Sequence, residues 1–177
     1  MKIISIIRLA IPYNGMIITA REPAHIRNSA LESGITQMDA STRIGLGAYS
    51  EINDAKRDVS KQQFELADTR SLEELIGELA DRGHITSFRT AGYRIGRTGE
   101  RIMKLFRGCH EAEFCKLNAV ITFREWLDDF ACDDIRQKWE ALIRRELSSI
   151  GQELSQYQGK FKPMYAETCR GKRDLYL

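Results

Sequence analysis

The sequence predicts an α/β segment over residues 1–50, followed by a mainly α segment over residues 51–177. Three observations carry this. A strand–helix–strand order occupies the first 50 residues. Apolar residues recur at helical spacing through much of the remainder. Ser/Thr-x-x-Glu patterns at Ser71 and Thr122 stand where helical runs begin, and there a hydroxyl and a carboxylate can satisfy the free amides of a helix start.

Lys2 to Ala10 reads as the end of a helix, and Pro12-Tyr13-Asn14-Gly15 as a turn. Met16-Ile17-Ile18-Thr19 is a short apolar run with β-branched residues, expected to form a buried strand. Arg21-Glu22-Pro23 closes it, and Pro23 suits a helix's first turn. Ile26, Ala30 and Leu31 keep helical spacing to about Ser33, and Gly34 is placed to terminate that helix. Ile35 to Ala40 is a second short strand. A βαβ unit implies parallel strands. Parallel sheets are normally covered on both faces and flanked at both edges. Residues 1–50 therefore read as the closing part of a larger α/β structure, its earlier part missing.

Ser41 to Tyr49 is a glycine-containing loop, Glu51 to Ser60 is polar and expected to be exposed, and Phe64-Glu65-Leu66 is a brief extended piece. A loose boundary falls near residues 50–64. Ser71-Leu72-Glu73-Glu74 is a capping box, opening a helix with Leu72, Leu75, Ile76 and Leu79 on its apolar face and Gly83 at its end. His84 to Phe88 is strand-like. Thr98 to Arg107 is a helix burying Ile102, Met103, Leu105 and Phe106, ended by Gly108. Thr122-Phe123-Arg124-Glu125 reads as a second capping box, opening a helix through Trp126, Leu127 and Phe130. Asp133 to Ile150 is a long amphipathic helix carrying Ile135, Trp139, Leu142, Ile143 and Leu147. Both tryptophans are expected in the core, and the tail beyond is polar.

Composition narrows the function classes. With 177 residues, 42% hydrophobic and 29% charged, the chain is an ordinary globular sequence of one domain or slightly more. A formal charge of +2, with basic and acidic residues interleaved, argues against nucleic acid as a partner. No apolar run reaches the length of a membrane span. Arg8 interrupts the apolar opening and no small-residue cleavage pattern follows, so a cytoplasmic location is expected. The cysteines are Cys109, Cys115, Cys132 and Cys169. In a reducing compartment these are free thiols, metal ligands or catalytic groups. Cys109-His110 with Cys115 fits no standard zinc spacing, so ordinary thiols near a helix end remain the plainer alternative.

The most specific stretch is Ser87-Phe88-Arg89-Thr90-Ala91-Gly92-Tyr93-Arg94-Ile95-Gly96-Arg97-Thr98-Gly99-Glu100, followed by a helix and then Phe114-Cys115. It resembles the C-terminal segment of the HydG family, radical AdoMet tyrosine lyases of FeFe-hydrogenase maturation. Their pattern is roughly Ser-Phe-Cys-Thr-Ala-Cys-Tyr-Arg-x-Gly-Arg-Thr-Gly-Glu, with a third Cys later. Arg89 and Gly92 stand at the first two ligand positions, and only Cys115 falls on a retained one. The similarity extends to Arg8 through Ile18, Phe64 through Leu72, Phe114 through Asp129 and Gly171 through Tyr176.

The resemblance implies the last βαβ portion of an incomplete (β/α)8 radical-AdoMet barrel over residues 1–50. A largely helical C-terminal extension, like the family's auxiliary-cluster domain, follows over residues 51–177. The region also belongs to the class associated with biotin and thiamine synthesis. The family splits tyrosine to p-cresol and dehydroglycine and yields CO and cyanide, using 4Fe-4S clusters and S-adenosyl-L-methionine. The CxxxCxxC motif that binds the AdoMet cluster is absent from these 177 residues. The chain is therefore expected to bear no cofactor and no catalytic residue of its own. It reads as a truncated homologue, a subunit of a split enzyme, or a non-catalytic scaffold module. The implied partners are a polypeptide supplying the AdoMet-binding half or a hydrogenase maturation protein. Barrel sites lie at the C-terminal ends of strands. The resemblance thus makes Thr19, Arg21, Ser41 and Arg43 inherited contacts to a substrate carboxylate, an Arg being suited to bidentate binding. From position alone, the plainer reading is that they are loop-positioning or solvated groups.

Overall fold

The computed structural model describes residues 1–12, 14–44, 65–88 and 111–177. The expected loop at Gly45 to Tyr49, the polar run Glu51 to Ser60, Phe64, the helix Thr98 to Arg107 and the boundary near 50–64 lie outside the described residues. Helices dominate, with a small parallel sheet, and the chain divides into two compact units, Met1–Leu75 and Ile76–Leu177.

The first unit runs α1 (Lys2–Ala10), β1 (Ile17–Ile18), α2 (Ala24–Glu32) and β2 (Gln37–Met38). The strands pair in parallel, Ile17 opposite Gln37 and Ile18 opposite Met38, with α2 as the crossover. Pro23 precedes α2 at φ −59°, the angle its ring imposes. At the other end Gly34 takes φ +113°. Its amide reaches the Leu31 carbonyl at 3.0 Å and the Ile35 amide reaches Ala30 at 3.1 Å, the paired bonds of a Schellman stop. Arg8 ties α1 down, its guanidinium donating to the carbonyls of Gly34 (2.7 Å), Pro12 (2.7 Å) and Asn14 (2.8 Å). Ala20, Ala30, Ile35, Leu66 and Leu75 are buried. The expectation of a buried first strand fails: Ile17 is 64% exposed. Among the described residues β1 has β2 as its neighbour and nothing on its other edge.

The division falls within α3 (Leu72–Asp81). Its start is the capping box, with the Ser71 amide on Glu74 Oε2 at 2.7 Å and the Glu74 amide on Ser71 Oγ at 3.2 Å. Leu72 departs from the expected apolar face and is 39% exposed, because it sits at the cap rather than one turn in. Gly83, at φ +83°, closes the helix with a second Schellman pair, Gly83 to Ala80 and His84 to Leu79, each 2.9 Å.

The second unit continues with α4 (Glu111–Phe130), α5 (Asp133–Glu153), a 3-10 turn (Ser155–Tyr157) and α6 (Gln158–Cys169). Three expectations are corrected here. His84 to Phe88 joins no strand among the described residues, and the Phe88 amide donates to Thr122 Oγ1 instead. Thr122 opens no helix, since α4 runs straight through it. Its hydroxyl donates back to the Asn118 carbonyl at 2.9 Å, the alternative a mid-helix Thr takes. The tail is not simply polar, because α6 folds despite the breaker residues Gly159 and Pro163. It does so because Phe161 and Thr168 bury against the rest of the unit, with Met164 and Tyr165 packed alongside. The core expected around α5 forms: Trp126 and Trp139 are buried with ring centres 5.8 Å apart, beside Phe123, Leu127, Leu142 and Ile143.

Candidate functional site

The C-terminal strand ends of the first unit deliver Thr19 and Arg21 from β1, and Asp39, Ser41, Thr42 and Arg43 from β2. A returning segment crosses them. The amides of Ala67 and Asp68 both donate to the Ala20 carbonyl, at 3.1 and 3.0 Å, and the Ser41 amide donates to the Arg70 carbonyl at 3.3 Å. This crossing brings Asp68 to Arg27, which α2 presents from its buried face.

Asp68 is the hub. It accepts from Arg70 Nε at 2.9 Å, Arg70 NH2 at 2.5 Å and the Arg70 amide at 3.2 Å, and from Arg27 NH1. Arg27 also donates to the Asp39 carbonyl, and to Asp39 Oδ1 at 3.1 Å. Thr42 closes the chain, its hydroxyl donating to Asp39 Oδ2 at 2.7 Å. Hydrogen bonds from Arg70, with those from Arg27 behind them, outweigh burial and hold the Asp68 carboxyl at about 2. An aspartate so fully engaged stays ionised and does not relay protons. The cluster ties α2 to the strand ends, and Arg27 Nε is buried in it without a hydrogen-bond partner among the described residues.

Of the expected contacts, Thr19 and Arg21 are exposed, Arg43 is half-buried, and Ser41 is exposed at φ +53°. The Ser41 hydroxyl accepts the Leu72 amide at 2.7 Å, satisfying a free donor in the first turn of α3. Sequence reasoning missed Arg27, Asp68 and Arg70. The available signals were an Arg on the apolar side of α2, beside Ile26 and Ala30, and an Asp-x-Arg pair just before the capping box.

In the second unit Cys115 is half-buried on α4, while Cys132 and Cys169 are exposed. Next to Cys115, Lys116 donates to Ser149 Oγ (2.5 Å) and Glu153 Oε2 (2.7 Å). Arg89, Gly92 and Cys109 lie outside the described residues. A 4Fe-4S cluster takes thiolates, a guanidinium only donates hydrogen bonds, and glycine has no side chain. Arg89, Gly92 and Cys115, the positions that the resemblance assigns to ligands, would offer one thiol, and that set does not fit the group.

Comparison with known proteins agrees with this architecture. Residues 1–85 match the Biotin and Thiamin Synthesis associated domain. A crystal structure of HydG, described as a maturase of the FeFe-hydrogenase, matches 99% of this chain at 34% identity and a TM-score of 0.84. A second, the FeFe-hydrogenase maturase HydG from Carboxydothermus hydrogenoformans, matches 84% at 31% identity and a TM-score of 0.60. The chain spans 37% and 29% of those proteins. No curated protein matches it. Among the described residues, no helix is long and apolar enough to cross a membrane.

Proposed function

We infer, since the chain is a HydG relative along 99% of its own length, that it serves FeFe-hydrogenase maturation as a non-initiating portion of a HydG-type assembly. In this reading β1, α2 and β2 are the closing elements of a radical-AdoMet barrel. A separate polypeptide bearing CxxxCxxC supplies the AdoMet cluster and starts the radical cleavage of tyrosine. The observation that carries the reading is the match to HydG over 99% of this chain, at 34% identity and a TM-score of 0.84. Arg89 and Gly92, at two positions that the resemblance assigns to cluster ligands, support it. Arg21 and Arg43, carried at the strand ends, hold the substrate carboxylate by charge-assisted hydrogen bonds. Thr19, like Arg21, follows β1. Ser41 acts by placing the loop, because its hydroxyl already holds the Leu72 amide.

The test is anaerobic reconstitution with iron and sulfide, followed by addition of AdoMet and dithionite. The chain alone is expected to release no 5′-deoxyadenosine and to retain no stoichiometric iron. The Arg89→Cys/Gly92→Cys variant is expected to gain iron and sulfide, with Cys115 as third ligand. Turnover of AdoMet by the unmodified chain alone overturns the proposal. A second reading, a non-catalytic docking module, is favoured by the self-contained core of Ile76–Leu177. It is distinguished by hydrogenase maturation that survives Arg21→Ala and Arg43→Ala.

A further inference from the structure

A cavity of about 260 Å³ opens between α5 and α6, within the second unit. α5 gives it Leu147, Ile150 and Gly151, spaced i, i+3, i+4. α6 gives it Gln158, Phe161, Lys162 and Tyr165, spaced i, i+3, i+4, i+7, so each helix turns one face to the space. Ile150 and Phe161 are part of the buried core. The rings of Phe161 and Tyr165 stack with centres 5.8 Å apart and planes at 23°. The walls are therefore hydrocarbon and aromatic. Burial pushes the Tyr165 phenol up to about 12, so at neutral pH it is an uncharged part of that wall.

Two features point to a ligand rather than to imperfect packing. The first is Gly151. Gly34, Gly83 and Gly171 take positive φ at helix ends, whereas Gly151 does not. A Cβ on Gly151 meets only the Gln158 side chain, at an ordinary 3.6 Å from Nε2. Neither backbone angle nor crowding calls for glycine there, and glycine is a poor helix former. Its missing side chain leaves room in the cavity. Gln158 Nε2 donates to the Gly151 carbonyl at 2.8 Å, which satisfies a free acceptor of the last turn and ties the two walls together.

The second feature is charge. Lys162 lines the cavity, and Arg144 lies on the same face of α5, three residues before Leu147 and seven before Gly151. Both are exposed, and neither has a carboxylate partner among the described residues. No lining residue is acidic. An apolar interior with an unpaired cation at its mouth suits an amphipathic anion. The ammonium of a free amino acid finds no counter-charge on these walls.

We propose that the cavity between α5 and α6 binds a small monocarboxylate with an aromatic or hydrocarbon body. The body lies on Ile150, Phe161 and Tyr165, and the carboxylate pairs with Lys162. Common small-ligand sites run to roughly 300–1,000 Å³, so this one is limited to a single ring or a short chain. The site is built by the second unit alone and stands apart from the split-assembly reading.

The test titrates the isotope-labelled 177-residue chain with phenylbutyrate, phenylbutylamine and tyrosine, following backbone amide shifts. Phenylbutyrate is expected to give saturable shifts centred on residues 147–165, and tyrosine none. Lys162→Glu, at an exposed position, is expected to bind phenylbutyrate several-fold more weakly and phenylbutylamine more tightly than the wild type does. Gly151→Leu fills the cavity and is expected to weaken phenylbutyrate at least tenfold, with circular dichroism and tryptophan fluorescence unchanged. If Gly151→Leu disturbs the fold, Gly151→Ala, whose added carbon has room, is expected to keep it and still lower the affinity. Shifts that are absent, or that do not saturate in the wild type, overturn the site. Equal affinity in Lys162→Glu overturns the carboxylate's place. Equal affinity in a folded Gly151 variant overturns the cavity as the location, and an equal response to tyrosine overturns the ligand class.

Discussion

Arg27 and Asp68, 41 residues apart in sequence, form an ion pair in which 2% and 1% of the side chains remain exposed. The pair pins the segment returning through Ala67 and Asp68 onto the helix that connects the strands. Removing one member of a buried pair strands the other charge. The relationship therefore matters more to the stability of the first unit than any ion pair on its surface.

The first prediction concerns pH. The Asp68 carboxyl is lowered from 3.8 to about 2. A depressed acid contributes its stability above the unfolded value and loses it as pH falls through the folded one, so the window is roughly pH 4 down to 2. The contribution is about 2 kcal/mol. Asp68→Asn is expected to destabilise the first unit at pH 6 by about 3 kcal/mol, and that deficit is expected to shrink as pH approaches 2. Urea midpoints from far-ultraviolet circular dichroism for both proteins at pH 6, 4, 3 and 2 measure it. A deficit that stays constant with pH shows that the aspartate charge is not what holds Arg27.

What was legible in the sequence followed local chemistry. Ser71 and Glu74, Gly34 and Gly83, and the spacing of Trp139, Leu142 and Ile143 act within a turn or two, so their patterns mark the end of α2, both ends of α3 and the body of α5, which runs past the expected Ile150 to Glu153. Thr122 shows the limit of such patterns. Its Ser/Thr-x-x-Glu signature is the same as that of Ser71, but apolar residues on both sides keep the helix going and the hydroxyl turns back to Asn118. Pro163 and Gly159 hid α6 for the opposite reason, because long-range burial of Phe161 and Thr168 overrode weak local propensity. Asp68 and Arg70 are two residues apart, but the pairing of Asp68 with Arg27 is not legible, because those two meet only after the chain returns across the strand ends. For α1, periodicity shows that the helix has an apolar face and is silent on what that face meets.

The second prediction compares two helix-ending glycines. Gly171 ends α6 as Gly34 ends α2, with φ +95° and amide bonds from Gly171 to Thr168 and Lys172 to Glu167. A Cβ on Gly171 meets open space, whereas one on Gly34 lies 3.1 Å from Arg8 Cγ and 3.2 Å from Arg8 Cβ. Gly171→Ala is expected to cost the backbone term alone, about 1–2 kcal/mol. Gly34→Ala is expected to cost more and to loosen α1 as well, because Arg8 must leave the Gly34 carbonyl. Hydrogen exchange reads this directly, with faster exchange along Lys2–Ala10 in Gly34→Ala and none of it in Gly171→Ala. Equal behaviour of the two variants shows that Arg8 does not anchor the helix.

The third prediction concerns the clasp between Asn118 and Leu177. Asn118 is fully buried on α4, and both ends of its amide serve the backbone of Leu177: Oδ1 accepts the Leu177 amide at 2.7 Å, and Nδ2 donates to its carbonyl at 3.3 Å. Upstream, Arg173 grips Asp129 through two bonds of 2.6 and 2.7 Å, both at a partly exposed surface where an ion pair is worth about 1 kcal/mol or less. The buried clasp is the stronger hold, since an unmade buried hydrogen bond costs about 1–3 kcal/mol. Asn118→Leu keeps the volume and removes both bonds. It is expected to release Leu175 to Leu177 to carboxypeptidase while the tryptophan fluorescence of the Trp126–Trp139 core stays native. Arg173→Ala is expected to raise trimming far less. If Arg173→Ala frees the tail and Asn118→Leu does not, the surface pair, and not the buried amide, sets the position of the chain's last residues.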